Sequence, residues 1–245
     1  MTAATVGRRA LVELSEEYEG CAKCEVLCNS RTQVVFGSGS SRGPILVVGE
    51  APGAAEDEEG ATFVGDSGQL LMDLFAKAWP PDDRMKEIRA IQEDESYFTE
   101  LREYLDGYVF WTNSAICRPP DNRNPTSVEL KNCRERLERT IYAVDPLLIV
   151  AAGKIAAGAL LGKAVQIMDK HGTLFDVSVK SPITGQAVRY TMLAILHPAF
   201  LLRQGDQALV RRKKGPTYET IEDLRNGLGL LERLHRESYG RSFLE

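Results

Sequence analysis

Five cysteines stand at 21, 24, 28, 117 and 133, and their number and spacing invite metal chemistry. An odd count, beside first residues that lack the apolar core of a secretory signal, argues against a disulfide framework. Cys21 and Cys24 form a chelating pair, since two intervening residues let both thiolates face one centre. Cys117 and Cys133 could add two ligands from a distant segment, and four thiolates suit either zinc or a [4Fe–4S] cluster. The plainer alternative is that Cys117 and Cys133 are simply buried, as free cysteine often is. Cys133 does share a helically spaced apolar stripe with Leu130, Leu137, Ile141 and Val144. A second group of chemically capable residues follows apolar runs. It comprises Gly49-Glu50-Ala51-Pro52-Gly53 with Glu56-Asp57, then Asn113, then His197-Pro198. Glycines permit close backbone approach, carboxylates bring charge, and Asn and His offer directed hydrogen bonds.

Those residues need a frame to bring them together. Ile45–Val48, Tyr108–Ile116, Leu147–Ala152 and Tyr190–Leu196 read as buried strands. Helical patterns at Gly68–Trp79, Thr126–Ala143, Lys154–Leu161 and Tyr218–Arg236 lie between or after them. Phe175–Val179 and Ala187–Tyr190 look like a hairpin leading into the last strand. The alternation predicts a three-layer α/β/α fold with a central, mostly parallel four-stranded sheet and helices on both faces. In such sheets ligands sit beyond the C-terminal ends of the strands, where Glu50, Asn113 and His197 fall. No repeat or linker divides the chain, so one domain over residues 1–245 is expected. It would carry an insert at about 79–107 and an extended C-terminal segment at about 204–245.

Composition narrows the partners. With 245 residues, 43% hydrophobic and 27% charged, the chain is neither disordered nor a disulfide scaffold. No apolar run approaches the ~20 residues that span a bilayer. No membrane partner and a cytoplasmic location are expected. The net charge of −5 resides in Asp82–Asp106, with nine acids against four bases, so the remainder is balanced. Arg203–Lys214 carries five bases and one acid, a stripe that can grip phosphates despite the total. Gly153-Lys154-Ile155 lacks the rest of a Walker loop, and no dinucleotide fingerprint is present, so no nucleotide cofactor is expected.

The ordered motifs resemble a known family. Cys-x2-Cys is followed by Gly-Glu-Ala-Pro-Gly, Phe-Val-Gly, Thr-Asn, Cys-Arg-Pro-Pro, a distant Cys and His-Pro-Ala. From about Cys21 to Arg203 the chain is similar to the iron–sulfur branch of the uracil-DNA glycosylase superfamily, often called family 4. The resemblance implies a [4Fe–4S] cluster on Cys21, Cys24, Cys117 and Cys133, with Cys28 outside the set. It places Glu50, Ala51 and the following backbone against a base, with Phe63 stacking on it. Asn113 would meet the Watson–Crick edge, and His197 the carbonyl that becomes anionic. Several members carry a water-activating Asp at the position of Ala51, so Glu56 or Asp57 must supply the carboxylate here, Glu56 being favoured. Leu201, Leu202 and Arg203 are either a helix start or a wedge into the gap left by a flipped base. Arg203, Arg211, Arg212, Lys213 and Lys214 would hold phosphate.

The implied activity is monofunctional hydrolysis of the glycosidic bond of a pyrimidine in DNA, uracil by default, by a monomer. Thr62 where a Pro is usual, Asp66-Ser67, and the swollen acidic connection depart from the family pattern and bear on base choice. One alternative keeps the chemistry on a bulkier modified pyrimidine, such as glucosylated hydroxymethylcytosine in phage DNA. Another is a non-enzymatic iron–sulfur or zinc protein that only binds DNA.

Overall fold

The computed structural model describes residues 3–205 and 213–245. The chain opens with helices α1 (Ala3–Glu19) and α2 (Glu25–Ser30), then a two-residue strand β1 (Ser38–Gly39) and strand β2 (Ile45–Gly49). Helices α3 (Ala54–Glu59), α4 (Asp66–Ala78), α5 (Asp83–Ala90) and α6 (Tyr97–Leu105) precede β3 (Val109–Asn113). Next come α7 (Ser127–Val144), β4 (Leu148–Ala152), α8 (Gly153–Leu161) and α9 (Ile167–Lys170). The chain continues through β5 (Leu174–Lys180), β6 (Ala187–Ile195), α10 (Pro198–Gln204) and α11 (Gly215–Tyr239).

One six-stranded sheet results, in the order β1-β3-β2-β4-β6-β5. Its centre, β3-β2-β4-β6, is parallel as the alternation predicts. The expectation of four strands falls short by two antiparallel edges, β1 on β3 and β5 on β6. The expected hairpin is there, but its second arm and the last strand are one continuous β6. Burial explains the miss. β5 and the first half of β6 are covered on one face only and alternate in exposure, whereas the second half of β6 is fully buried.

Strand periodicity divides the sheet into two cores. Ile45, Val47, Val109, Trp111, Leu148 and Val150 face the layer of α4, α5, α6 and α11. Leu46, Val48, Phe110, Ile149 and Ala151 face α1, α7 and α8. The acidic insert is part of the first layer: Met85, Ile88, Leu101 and Leu105 are buried there, and its carboxylates lie mostly outside. No helix among the described residues is long and apolar enough to cross a membrane.

Candidate active site

The parallel strands end together. Gly49, Asn113, Ala152 and Ile195 terminate β2, β3, β4 and β6, and the segments that leave them enclose a cavity of about 710 Å³. Glu50, Ala51, Glu56, Phe63, Asn113, His197 and Arg203 all line it, so most of the sequence-predicted site converges.

Backbone geometry makes the room. A Cβ on Gly49 would lie 2.2 Å from Asn113 Oδ1 and 2.9 Å from the Phe63 ring, so only glycine lets both side chains reach the cavity. Asn113 is 4% exposed, and its amide has no hydrogen-bond partner among the described residues. A buried amide in that state holds both a donor and an acceptor for a ligand. Phe63 adopts φ 57°, a conformation costly for a bulky residue and typical of functional strain. Gly68 permits it, since a Cβ there would lie 2.2 Å from the Phe63 carbonyl oxygen. Behind Phe63 sits Trp111, ring centres 5.4 Å apart and tilted by 54°. Arg102, from the insert, secures the preceding residue by donating to the Thr62 carbonyl at 2.7 Å and to Ser38 Oγ at 2.8 Å.

His197 caps α10, and its Nδ1 accepts the Ala199 N–H at 3.1 Å. An accepting Nδ1 fixes the neutral tautomer with the proton on Nε2, which leaves Nε2–H as the ring's donor. Burial, seconded by the Arg203 charge, pushes its pKa down to about 4, so the ring is neutral near pH 7. Gly153, at φ 90°, leaves the space that the imidazole fills, because a Cβ there would lie 2.8 Å from His197 Cβ.

The carboxylates sort differently from the sequence expectation. Glu56 lines the cavity, but Oε2 accepts the Gly53 N–H at 3.0 Å and Oε1 the Gly65 N–H at 2.9 Å. It ties the two loops of the pocket wall. Asp57 is buried away from the cavity and accepts N–H groups of Thr32 and Gln33, which removes it from the site. Glu50 lines the cavity and its carboxylate has no hydrogen-bond partner among the described residues. Burial raises its pKa, opposed by the charge of Lys154. Lys154 and Met168 also line the cavity and escaped sequence reading, and Ser67, noted there only as a departure from the family pattern, lines it too. For Lys154 the available signal was its place in the first turn of the helix that follows β4.

The DNA-facing expectations divide as well. Leu201 is buried in the core rather than free to act as a wedge, while Leu202 is 38% exposed on α10. Arg203 is exposed at the cavity rim, and Lys213 and Lys214 are exposed before α11. Arg211 and Arg212 lie outside the described residues. On another wall, Arg123 grips Glu129 through two N–H···O bonds of 2.9 and 2.7 Å, which holds that carboxyl down at about 2 and fixes the loop after Cys117.

The thiols occupy one corner beside this loop. Cys117 and Cys133 are buried, and Cys21 and Cys24 pack against the same core. Burial raises the thiol pKa of Cys24 and of Cys117, the latter to about 11, and Cys21 and Cys133 lie near enough to add to both shifts. Arg31 Nη1 donates to Cys117 Sγ at 2.8 Å, and Asn132 Nδ2 to Cys24 Sγ at 3.3 Å. Cys28 Sγ instead meets the Cys21 carbonyl at 3.4 Å. Among the described residues, no group of three or more His, Cys, Asp or Glu is placed to hold a metal ion.

Comparison with known proteins converges on one group. The model of the uracil DNA glycosylase superfamily matches residues 36–225. A type-4 uracil-DNA glycosylase of Pyrobaculum aerophilum is 33% identical over 194 residues, 79% of this chain and 85% of that protein. Type-4 uracil-DNA glycosylases of Archaeoglobus fulgidus and Thermotoga maritima are 32% and 33% identical, covering 79% and 83% of this chain and 83% and 90% of their own.

Proposed function

The chain belongs to the uracil DNA glycosylase superfamily, and on that premise we propose that it is a monofunctional DNA glycosylase hydrolysing the N-glycosidic bond of a flipped-out pyrimidine, uracil first. The observation that carries this reading is the pairing, in one cavity, of an Nε2–H donor on a neutral His197 with an unpartnered carboxylate on Glu50. Cleavage places positive charge on the sugar and negative charge on the departing base. A neutral imidazole donates to the base oxygen as its charge grows, and a carboxylate orients water and steadies the sugar cation. A base within a stacked duplex is out of reach, so the nucleotide must turn out into the cavity. Phe63 then offers a stacking face and the Asn113 amide a donor and acceptor for the Watson–Crick edge.

The carboxylate role passes to Glu50. Glu56 has both oxygens engaged by backbone N–H groups, which favours a positioning role. Burial raises the Glu50 pKa, and a more basic carboxylate accepts a proton from water more readily. Arg203, Lys213 and Lys214, with Arg211 and Arg212, would contact phosphates.

Cys21, Cys24, Cys117 and Cys133 would hold a [4Fe–4S] cluster. The donor set fits in kind: four thiols of one core, two of them receiving N–H groups from Arg31 and Asn132. When bound, the cluster supplies a structural tie between the N-terminal segment and the loop after Cys117.

Incubation with a duplex containing one uracil, followed by hot alkali, tests the reading. Strand scission at the uracil is expected. An intact strand with every pyrimidine offered, bulky 5-substituted ones included, would leave a DNA-binding protein without chemistry.

A further inference from the structure

Arg136 lies on α7 one turn after Cys133, and its side chain is 0% exposed. Nη1 donates to Thr112 Oγ1 at 3.0 Å, and Nη2 donates to the carbonyls of Asn113 at 2.5 Å and Ser114 at 3.0 Å. The guanidinium also sits 6.0 Å from the centre of the Phe36 ring, while Nε has no partner among the described residues. Each of these neighbours is neutral. Guanidinium keeps its proton in proteins, so this is a full positive charge buried without a carboxylate, an arrangement that is stable only near some other anion. Burial works against its charged form, and the ionisable side chains near enough to offset that are Cys133, Tyr18, Cys117 and Cys21. Three of those four are thiols of the cysteine corner.

We propose that Arg136 is a positioning residue that couples the cysteine corner to the base pocket: the anionic cluster and its thiolates balance the guanidinium, and the guanidinium holds the end of β3 from which Asn113 extends. The proposal rests on the cluster reading above. Its consequence is that the cluster governs base recognition from a distance, through one side chain, without touching the base. Loss of the cluster leaves the charge unbalanced, and the end of β3 gives way with it.

Hydrogen exchange of the wild-type protein, read by mass spectrometry before and after iron is stripped by a chelator, tests this without any activity assay. Residues 110–116 should exchange about tenfold faster or more once iron is gone, together with the ligand segment 21–31. Faster exchange confined to 21–31 would overturn the proposal, as would a protein isolated with no metal on its thiols. Arg136→Lys and Arg136→Met separate charge from reach. Lysine keeps the charge and should retain iron against chelator nearly as wild type does, whereas methionine should release it about tenfold faster. Neither variant holds three oxygens, so both should relax discrimination between uracil and cytosine. Wild-type iron retention in Arg136→Met refutes the charge balance; if that variant does not fold, the lysine variant and the wild-type exchange decide. Should no DNA yield a free base, the exchange and iron-retention results still stand or fall by themselves.

Discussion

Both oxygens of Glu56 accept backbone N–H groups, one from Gly53 and one from Gly65, so Glu56→Gln turns one acceptor into a donor facing a donor. A hydrogen bond to a charged group contributes about 1.5–3 kcal/mol, and an unpaired donor adds a similar penalty where water is excluded. Glu56 is only partly buried, so about 2 kcal/mol is the expected loss. In a chain of this length that lowers Tm by about 4–8 °C. Glu50→Gln should do the reverse. It removes a carboxylate whose charged form burial disfavours, so Tm should hold or rise, while single-turnover base release falls about 100-fold or more. Thermal unfolding and single-turnover kinetics on the two variants, at equal protein and DNA concentrations, provide the assay. A Glu56→Gln protein with wild-type Tm and collapsed rate, beside an active Glu50→Gln, would refute the reasoning and return the water to Glu56.

Other consequences follow from the same geometry. His197 is held down at about 4, so between about pH 6.5 and 4 the unfolded chain binds a proton there that the fold refuses. Stability must therefore fall as pH drops through that window, by about 3 kcal/mol in all, and His197→Asn should flatten that part of a Tm–pH curve. The acid limb of the rate profile should lie above the ordinary carboxylate range, because Glu50 must be ionised, and a limb at that ordinary range would count against it. Gly49→Ala drives a methyl into Asn113 Oδ1 and the Phe63 ring, so base release should drop about 100-fold while DNA affinity, measured by fluorescence anisotropy, changes little. Neutralising Arg211, Arg212, Lys213 and Lys214 together should weaken binding to all sequences alike and reduce the salt slope by up to about 3–4. An unchanged slope would place the stripe off the DNA.

What the sequence disclosed, and what it withheld, has a common physical origin. Asn113 and His197 were legible because each is a polar residue closing an apolar strand, and parallel strands carry such residues to one edge. The central sheet was legible for the same reason, since strands buried on both faces are unbroken apolar runs. The edges were legible only in part: β1 is two residues long and gave no signal, while β5 showed as an arm of the expected hairpin but not as a further strand of the sheet. The sequence put Glu56 ahead of the other carboxylates because charge and spacing look alike in Glu50, Glu56 and Asp57. Only the fold reveals that backbone N–H groups engage Glu56 and Asp57 and leave Glu50 open. Leu201 and Leu202 differ by one position and point to opposite environments, which a short helix decides and a two-residue pattern cannot. Arg136 gave no signal, for an arginine in an amphipathic helix ordinarily faces water.

The central claim is that this cavity breaks a glycosidic bond, and mass spectrometry of the small molecules released from DNA tests it most directly. Duplexes carrying uracil, cytosine, thymine or a bulky 5-substituted cytosine would be incubated with the wild-type protein and with His197→Ala. Free uracil at one equivalent per abasic site, with the rate reduced about 100–1000-fold in His197→Ala, is the predicted result. A release of no base from any duplex, or release undiminished by the His197 substitution, would contradict it.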